Sequence, residues 1–179
     1  MALKIELGGG KNPRAGFTNI DICGGEDVIR CDLQRVGEGI THLPYANDEV
    51  DEVYTAHCLE HINPYKGVLH EIVRVCRIGA DVTIIVPHWN QSLAFCWDHR
   101  CSISEDQVRH WSEFIGDWWS GCEKRLHLFD TKFIPSLWHA EASRLFPHLT
   151  AEQVCRFIPN ACHEIQFFFY VVEKGERRI

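Results

Sequence analysis

An open, mostly parallel α/β sheet is the fold class this sequence predicts, and three observations predict it. Short apolar runs alternate with brief connectors through the first ninety residues, the pattern of parallel strands joined by crossovers. Residues 81–87, with Val82, Ile84, Ile85 and Val86, are apolar on both faces, as a central strand of such a sheet requires. The opening run, residues 3–7, breaks into Gly8, Gly9 and Gly10, and eleven residues later a second run delivers Asp21 near its end. Glycine lets the backbone come close to a ligand, and a carboxylate at a strand end can accept hydrogen bonds from the two hydroxyls of a ribose. Together they form a nucleoside-binding pattern.

The elements follow in order. The first strand is residues 3–7 and the second 17–22, with only residues 8–16 between them. Nine residues are fewer than a helical crossover usually needs. The first helix is therefore expected to be vestigial, about one turn begun by Asn12-Pro13 and closed by Gly16. Residues 28–33 read as a third strand ending at Asp32-Leu33, and Gly37, Gly39, Pro44 and Asn47 punctuate a loop. Residues 50–56 read as strand four. Asn63-Pro64 looks like a helix start, and Val68, Leu69, Ile72, Val73 and Val75 recur at helical period up to Gly79. Strand five, 81–87, follows.

Beyond residue 90 the character changes, with five of the six Trp and nine of the ten Phe. Residues 105–119 are helical in pattern, with Ser104 as cap; 125–134 read as strand six, 136–146 and 151–157 as helical pieces, and 164–173 as an apolar last strand. The aromatic residues read either as core and subunit contact, which leaves room for a homo-oligomer, or as a lid over a small acceptor. Trp118-Trp119 beside Ser120-Gly121 suggests a pocket wall or surface wedge.

Composition narrows the function classes. One domain, residues 1–179, is enough for a chain of this length, divided into a ligand-binding half (1–90) and an aromatic half (91–179). The formal net charge is -7 and neither half is basic, which disfavours a nucleic-acid partner; the basic cluster Lys174, Arg177 and Arg178 reads as a solvated tail. No apolar run approaches the length of a membrane span. Nine singly spread cysteines and an N-terminus without signal-peptide character point to a reducing cytoplasm without disulfides.

Laid out in order, residues Gly8-x-Gly10, Asp21, Asp32-Leu33, the stretch 43–53 (LPYANDEVDEV), Cys58-Leu59-Glu60-His61-Ile62 and Arg74-Val75-Cys76-Arg77-Ile78-Gly79-Ala80 resemble the successive landmarks of class I S-adenosylmethionine-dependent methyltransferases, type 11-like family. The resemblance covers roughly residues 3–88. It implies a Rossmann-like class I methyltransferase fold: a seven-stranded sheet, mostly parallel, with an antiparallel last strand, here with a shortened first crossover. It also implies S-adenosyl-L-methionine as cofactor, methyl transfer to a small-molecule oxygen or nitrogen acceptor, and a set of site residues. Gly8, Gly9 and Gly10 would wrap the methionine part, Asp21 with Ile22 the ribose, Asp32 with Leu33 the adenine, and His57 would lie near the sulfonium. Alternatives stay open at several of these positions. Glu6 either braces the loop or touches the ligand, Gly9 is equally a turn filler, and Asp32 is also a plausible helix cap.

Methyl transfer asks the protein to position an acceptor and to supply a base. His88, directly after strand five, and His99, in a Trp97-Asp98-His99-Arg100 segment, are the candidates, each equally readable as a hydrogen-bonded loop histidine. His57, His61, His88, Cys96, His99 and Cys101 carry metal-ligating chemistry, but their spacing is not that of a structural zinc site, so no metal is expected. Cys58 reads as an inert packed thiol. The short crossover and the lack of a helical segment before the first strand keep a second function class open: a catalytically silent methyltransferase-like module that partners another protein.

Overall fold

A computed structural model describes residues 2–23, 25, 27–114 and 123–175. Strands β1 (Lys4–Leu7), β2 (Thr18–Asp21), β3 (Val28–Arg30), β4 (Val50–Ala56), β5 (Cys76–Pro87), β6 (Lys124–Pro135) and β7 (Cys162–Glu173) form one sheet in the order β3-β2-β1-β4-β5-β7-β6. The first five strands are parallel. The last strand, β7, inserts between β5 and β6 and runs antiparallel to both, with Ile84 opposite Phe167 and Phe133 opposite Ile165. The expected mostly parallel seven-stranded sheet with an antiparallel last strand is the one observed. Strand order reverses between β1 and β4, and the carboxyl ends flanking that reversal are where ligands of open α/β sheets bind.

The first crossover departs from expectation. No helical turn forms between Gly8 and Phe17. Buried side chains do the work of helical hydrogen bonds instead: Glu6 Oε2 accepts from the Arg14 N–H at 2.5 Å and Asn19 Oδ1 from the Gly9 N–H at 3.0 Å. The Asn19 amide in turn donates to the Gly10 carbonyl at 3.1 Å. The Arg14 guanidinium lies 4.5 Å from the Tyr54 ring and 5.4 Å from Phe17, which seats the loop on β4.

The third strand stops at Arg30, three residues earlier than expected, because Asp32 caps a short helix, α1 (Leu33–Gly37), accepting from the Gln34 N–H at 3.0 Å. Leu33 and Val36 bury its inner face where a loop was expected. Helix α2 (Lys66–Val75) has Tyr65 rather than Asn63 at its N-cap, and buries Val68, Leu69, Ile72, Val73 and Val75 against the sheet. It ends at Val75, not Gly79. Cys76, fully buried and paired with Val50, already belongs to β5, which places Gly79 within that strand.

On the inner side of α2, Glu71 is 2 % exposed and fully engaged: it accepts from the Leu43 N–H at 2.8 Å and from the Arg74 guanidinium at 2.7 Å. That pairing holds the 43–49 loop, because Arg74 also donates to the carbonyls of Leu43 and Tyr45.

Helix α3 (Glu105–Phe114) begins with the expected Ser104, whose hydroxyl accepts from the Gln107 N–H at 3.4 Å while the Gln107 side chain accepts from the Ser104 N–H at 2.8 Å. The remainder of the predicted helix, with Trp118, Trp119 and the Ser120-Gly121 pair, lies outside the described residues, as do Arg177 and Arg178. Helices α4 (His139–Leu145) and α5 (Ala151–Phe157) pack over a small second core of Ala142, Val154 and Ala161. The aromatic second half divides: Phe167, Phe169 and Trp111 are core, whereas Phe95 and Trp97 stand exposed.

Phe167 and Phe169 of β7, both at 0 % exposure, are the largest fully buried side chains among the described residues. Phe169→Ala is expected to lower stability by about 3–5 kcal/mol, read as a reduced midpoint in denaturant unfolding followed by circular dichroism.

Candidate active site

At the strand-order reversal a cleft of about 340 Å³ opens, lined by Gly8, Asp21, Ile22, Asp32, Leu33, Gln34, His57, Cys58, His61 and Ile62. Its size lies within the range of small-ligand pockets. The end of β1, the end of β2, the start of α1 and the turn after β4 each contribute to the lining. Six of the nine predicted binding residues meet here: Gly8, Asp21, Ile22, Asp32, Leu33 and His57.

The glycine turn is built for close approach. Gly8 has φ of +76°, and a Cβ there would strike the Cys58 thiol. A Cβ on Gly9 would lie 2.7 Å from both the Asn19 amide oxygen and the Glu6 carboxylate. Gly9 is therefore required by packing and is no mere filler. Glu6 braces the turn from behind, engaged with the Arg14 N–H and 6 % exposed. Around Gly10 the space is open, and its N–H is bonded by Asp21 Oδ2 at 2.9 Å.

Asp21 thus has a structural duty as well as a place in the lining. Its other oxygen accepts from the Cys23 N–H at 2.8 Å, and each carboxylate oxygen keeps a second lone pair for a ligand hydroxyl. Asp32 is likewise double: one oxygen caps α1 while the residue lines the cleft wall next to Leu33. A dinucleoside-like or nucleoside ligand needs such a set, with a carboxylate for the sugar, an apolar and acidic wall for the base, and a glycine turn for the rest. The residues present fit an adenosyl group with an amino-acid tail.

His57 holds the unusual left-handed conformation, φ +51°, directly after β4. Its Nε2 bonds Glu164 Oε2 at 2.9 Å and its Nδ1 lies 3.5 Å from Glu60 Oε1. The Glu60 carboxylate raises the His57 pKa above its ordinary value; partial burial opposes this and Glu164 reinforces it. Cys58, beneath Gly8, has its thiol pushed up to about 12 by burial, with the charge of Glu60 adding to the effect. Its thiolate is disfavoured, as befits a packed residue.

The two predicted bases part company. His88 is 0 % exposed, its ring packed against Trp89 and Phe133 and its Nε2 lying 3.6 Å from Glu105. Expected at a strand's mouth as a base, it is instead covered by α3 and β6 and does not line the cleft. Burial raises the Glu105 pKa, but the neighbouring His88 imidazole and the Arg156 guanidinium outweigh it and bring the carboxyl down to about 2. A separate hollow of about 460 Å³ lies beside this group, lined by Trp89, Ser104, Glu105, Asp106, Arg109, Arg156 and Phe157. His99 fares differently. Its ring meets that of the cleft-lining His61 edge-on, with centroids 4.7 Å apart. Gln34, Cys58, His61 and Ile62 are lining residues that sequence reasoning did not assign; the Leu59-Glu60-His61 landmark was the signal for His61.

Two outcomes follow from this geometry. Gly8→Ala is expected to cost about 1–2 kcal/mol for the left-handed backbone alone, and more through the clash with Cys58, read as a lowered thermal unfolding midpoint. The raised pKa of His57 means that its ion pair stabilises the fold fully below about pH 6.5 and loses that contribution as pH rises through the folded-state value. Glu164→Gln is accordingly expected to destabilise most between about pH 5 and pH 6.5 and progressively less above, measured by denaturant unfolding across that range.

Comparisons with known proteins bear on this site. Residues 15–84 match the family model described as a methyltransferase domain, beginning just after the glycine turn. A search of curated protein sequences finds no match. Among solved structures, one from Haloferax volcanii, the Trm112 methyltransferase activator in complex with a candidate methyltransferase, superposes with a TM-score of 0.63 at 14 % identity, covering 98 % of this chain and 84 % of that one. A SAM-dependent methyltransferase from Archaeoglobus fulgidus gives 0.57 at 14 %, covering 97 % and 86 %. The 1,6-didemethyltoxoflavin-N1-methyltransferase of Burkholderia thailandensis, with bound 1,6-didemethyltoxoflavin and S-adenosylhomocysteine, gives 0.59 at 12 %, covering 96 % and 71 %. Residues 15–84 thus resemble a methyltransferase domain, and the chain as a whole has the fold of these structures.

Proposed function

We propose that the chain transfers the methyl group of S-adenosyl-L-methionine to an oxygen or nitrogen of a small molecule, and that residues 1–179 act as a single methyltransferase domain in the cytoplasm. One observation carries the reading: residues predicted separately from distant parts of the sequence line one cleft at the strand-order reversal. In this reading Gly8 and Gly10 border the methionine part, Asp21 and Ile22 the ribose, and Asp32 and Leu33 the adenine. Glu6 and Gly9 hold the turn in shape from behind. When bound, the cofactor supplies an electrophilic methyl group on a sulfonium centre.

The chain's own contribution is mainly positioning, since an in-line displacement gains most from holding the acceptor in the attack direction. His57 and His61 are the histidines that line the cleft and can meet an acceptor, their side chains 45 % and 39 % exposed. His99 stands behind His61 and acts on the acceptor side through it. A small acceptor suits a surface without a basic stretch, and eight free cysteines among the described residues suit a reducing compartment. Among the described residues no helix is long and apolar enough to cross a membrane.

Calorimetric titration with S-adenosylhomocysteine tests the binding step. Wild-type protein is expected to bind, and Asp21→Ala to weaken binding by about tenfold or more, corresponding to at least about 1.4 kcal/mol. Because Asp21 also holds the Gly10 and Cys23 N–H groups, Asp21→Asn separates the two duties: it retains one acceptor for the turn. Formation of S-adenosylhomocysteine with a panel of small hydroxyl and amine acceptors tests catalysis, and binding without turnover on any acceptor would favour the silent module instead.

A further inference from the structure

Beside the cleft, the turn after β4 and the segment around residue 99 bring three metal-ligating side chains together. One ligand atom from each of Glu60, His61 and His99 lies within 4.8 Å of the other two. The juxtaposition is fixed by the backbone, for the N–H groups of Arg100 and Cys101 both donate to the Glu60 carbonyl, at 2.7 and 3.3 Å. Sequence spacing concealed it, because 38 residues separate His61 from His99.

Two further observations point to a ligand. Glu60 is 2 % exposed, and neither of its carboxylate oxygens has a hydrogen-bond partner, its nearest ionisable neighbour being His57 at 3.5 Å. Burying a carboxylate that accepts no hydrogen bond is costly; the His57 ion pair at 3.5 Å offsets part of that cost, and a metal cation would offset more. The hydrogen bonds of the two histidines also leave one ring nitrogen of each available. His61 Nδ1 faces the Asp98 carbonyl at 3.2 Å and His99 Nδ1 the Ala94 carbonyl at 3.3 Å. A carbonyl can only accept, so both Nδ1 atoms carry the proton and both Nε2 atoms keep a lone pair, the arrangement that orients metal-binding imidazoles.

We propose that Glu60, His61 and His99 bind one divalent transition-metal ion, zinc being the best match to a donor set of two imidazoles and one carboxylate. Three protein ligands would leave a fourth position open, and one of the three, His61, lines the cleft. An oxygen or nitrogen of a small molecule in the cleft could fill that position. Binding of the ion is independent of methyl transfer. A second group, Cys96, Asp98 and His99, shares His99, so the two sets compete for the same imidazole. Glu60, buried and without a hydrogen-bond donor among the described residues, favours the first set, since Asp98 is exposed and its side chain lies 3.7 Å from His61.

The test is titration of chelator-stripped protein with Zn²⁺ by calorimetry and with Co²⁺ by visible absorption. One equivalent of each is expected, with cobalt bands of nitrogen and oxygen ligation and no thiolate charge-transfer band. Glu60→Gln and His99→Ala are each expected to weaken Zn²⁺ binding by about 100-fold, while Cys96→Ser leaves it unchanged. Circular dichroism and the unfolding midpoint establish that a variant is folded, and either variant suffices if the other fails to fold. Absence of saturable binding, unchanged affinity in a folded Glu60→Gln or His99→Ala, or a thiolate band lost in Cys96→Ser would overturn the assignment.

Discussion

The bond between the Asp21 carboxylate and the Gly10 N–H, at 2.9 Å, couples the end of β2 to the glycine turn after β1. Around it a single connected set of hydrogen bonds assembles, in which Asn19 spans both sides of the turn and Glu6 closes the loop at Arg14. The usual way to satisfy backbone groups here is a helix, and this chain uses three buried or half-buried side chains in its place. The cost is that shape and ligand contact share residues. Asp21 cannot be altered for one purpose without touching the other.

Across the cleft the turn after β4 has the complementary logic. Cys58 fills the space under Gly8 that a side chain would otherwise occupy, and His57 is held in a left-handed conformation by carboxylates on both sides of its ring. Backbone strain of this kind persists where the surroundings over-determine it, and it collects at functional positions. Glu164, from β7, reaches His57 because β7 lies directly against β5. The antiparallel strand therefore contributes to the site as well as to the core.

Much of this was legible in the sequence, for reasons that differ by element. The strands were readable because apolar runs end in glycine or acidic residues, and β4 ran from Val50 to Ala56 as its pattern implied. Gly8, Asp21, Asp32 and His57 were legible because each sits at a strand's carboxyl end, where position along the chain already fixes position in the fold. Helix α1 was missed because it is one turn long and its cap, Asp32, was also the natural candidate for a ligand contact. The burial of His88 was not legible because its surroundings come from elsewhere: Glu105 of α3 and Phe133 of β6 close over it. The nearness of Glu60 to His99 was invisible for the same reason, since a tertiary contact and no local spacing creates it.

The insertion of β7 between β5 and β6 also sets an order of assembly. Until β7 is synthesised, β5 presents an unpaired edge and β6 has no neighbour in the sheet, although both are already made. A nascent chain on the ribosome therefore carries the parallel half with an open side and β6 without its sheet neighbour. Such an edge invites pairing with other chains, and the late arrival of a strand rich in phenylalanine closes it.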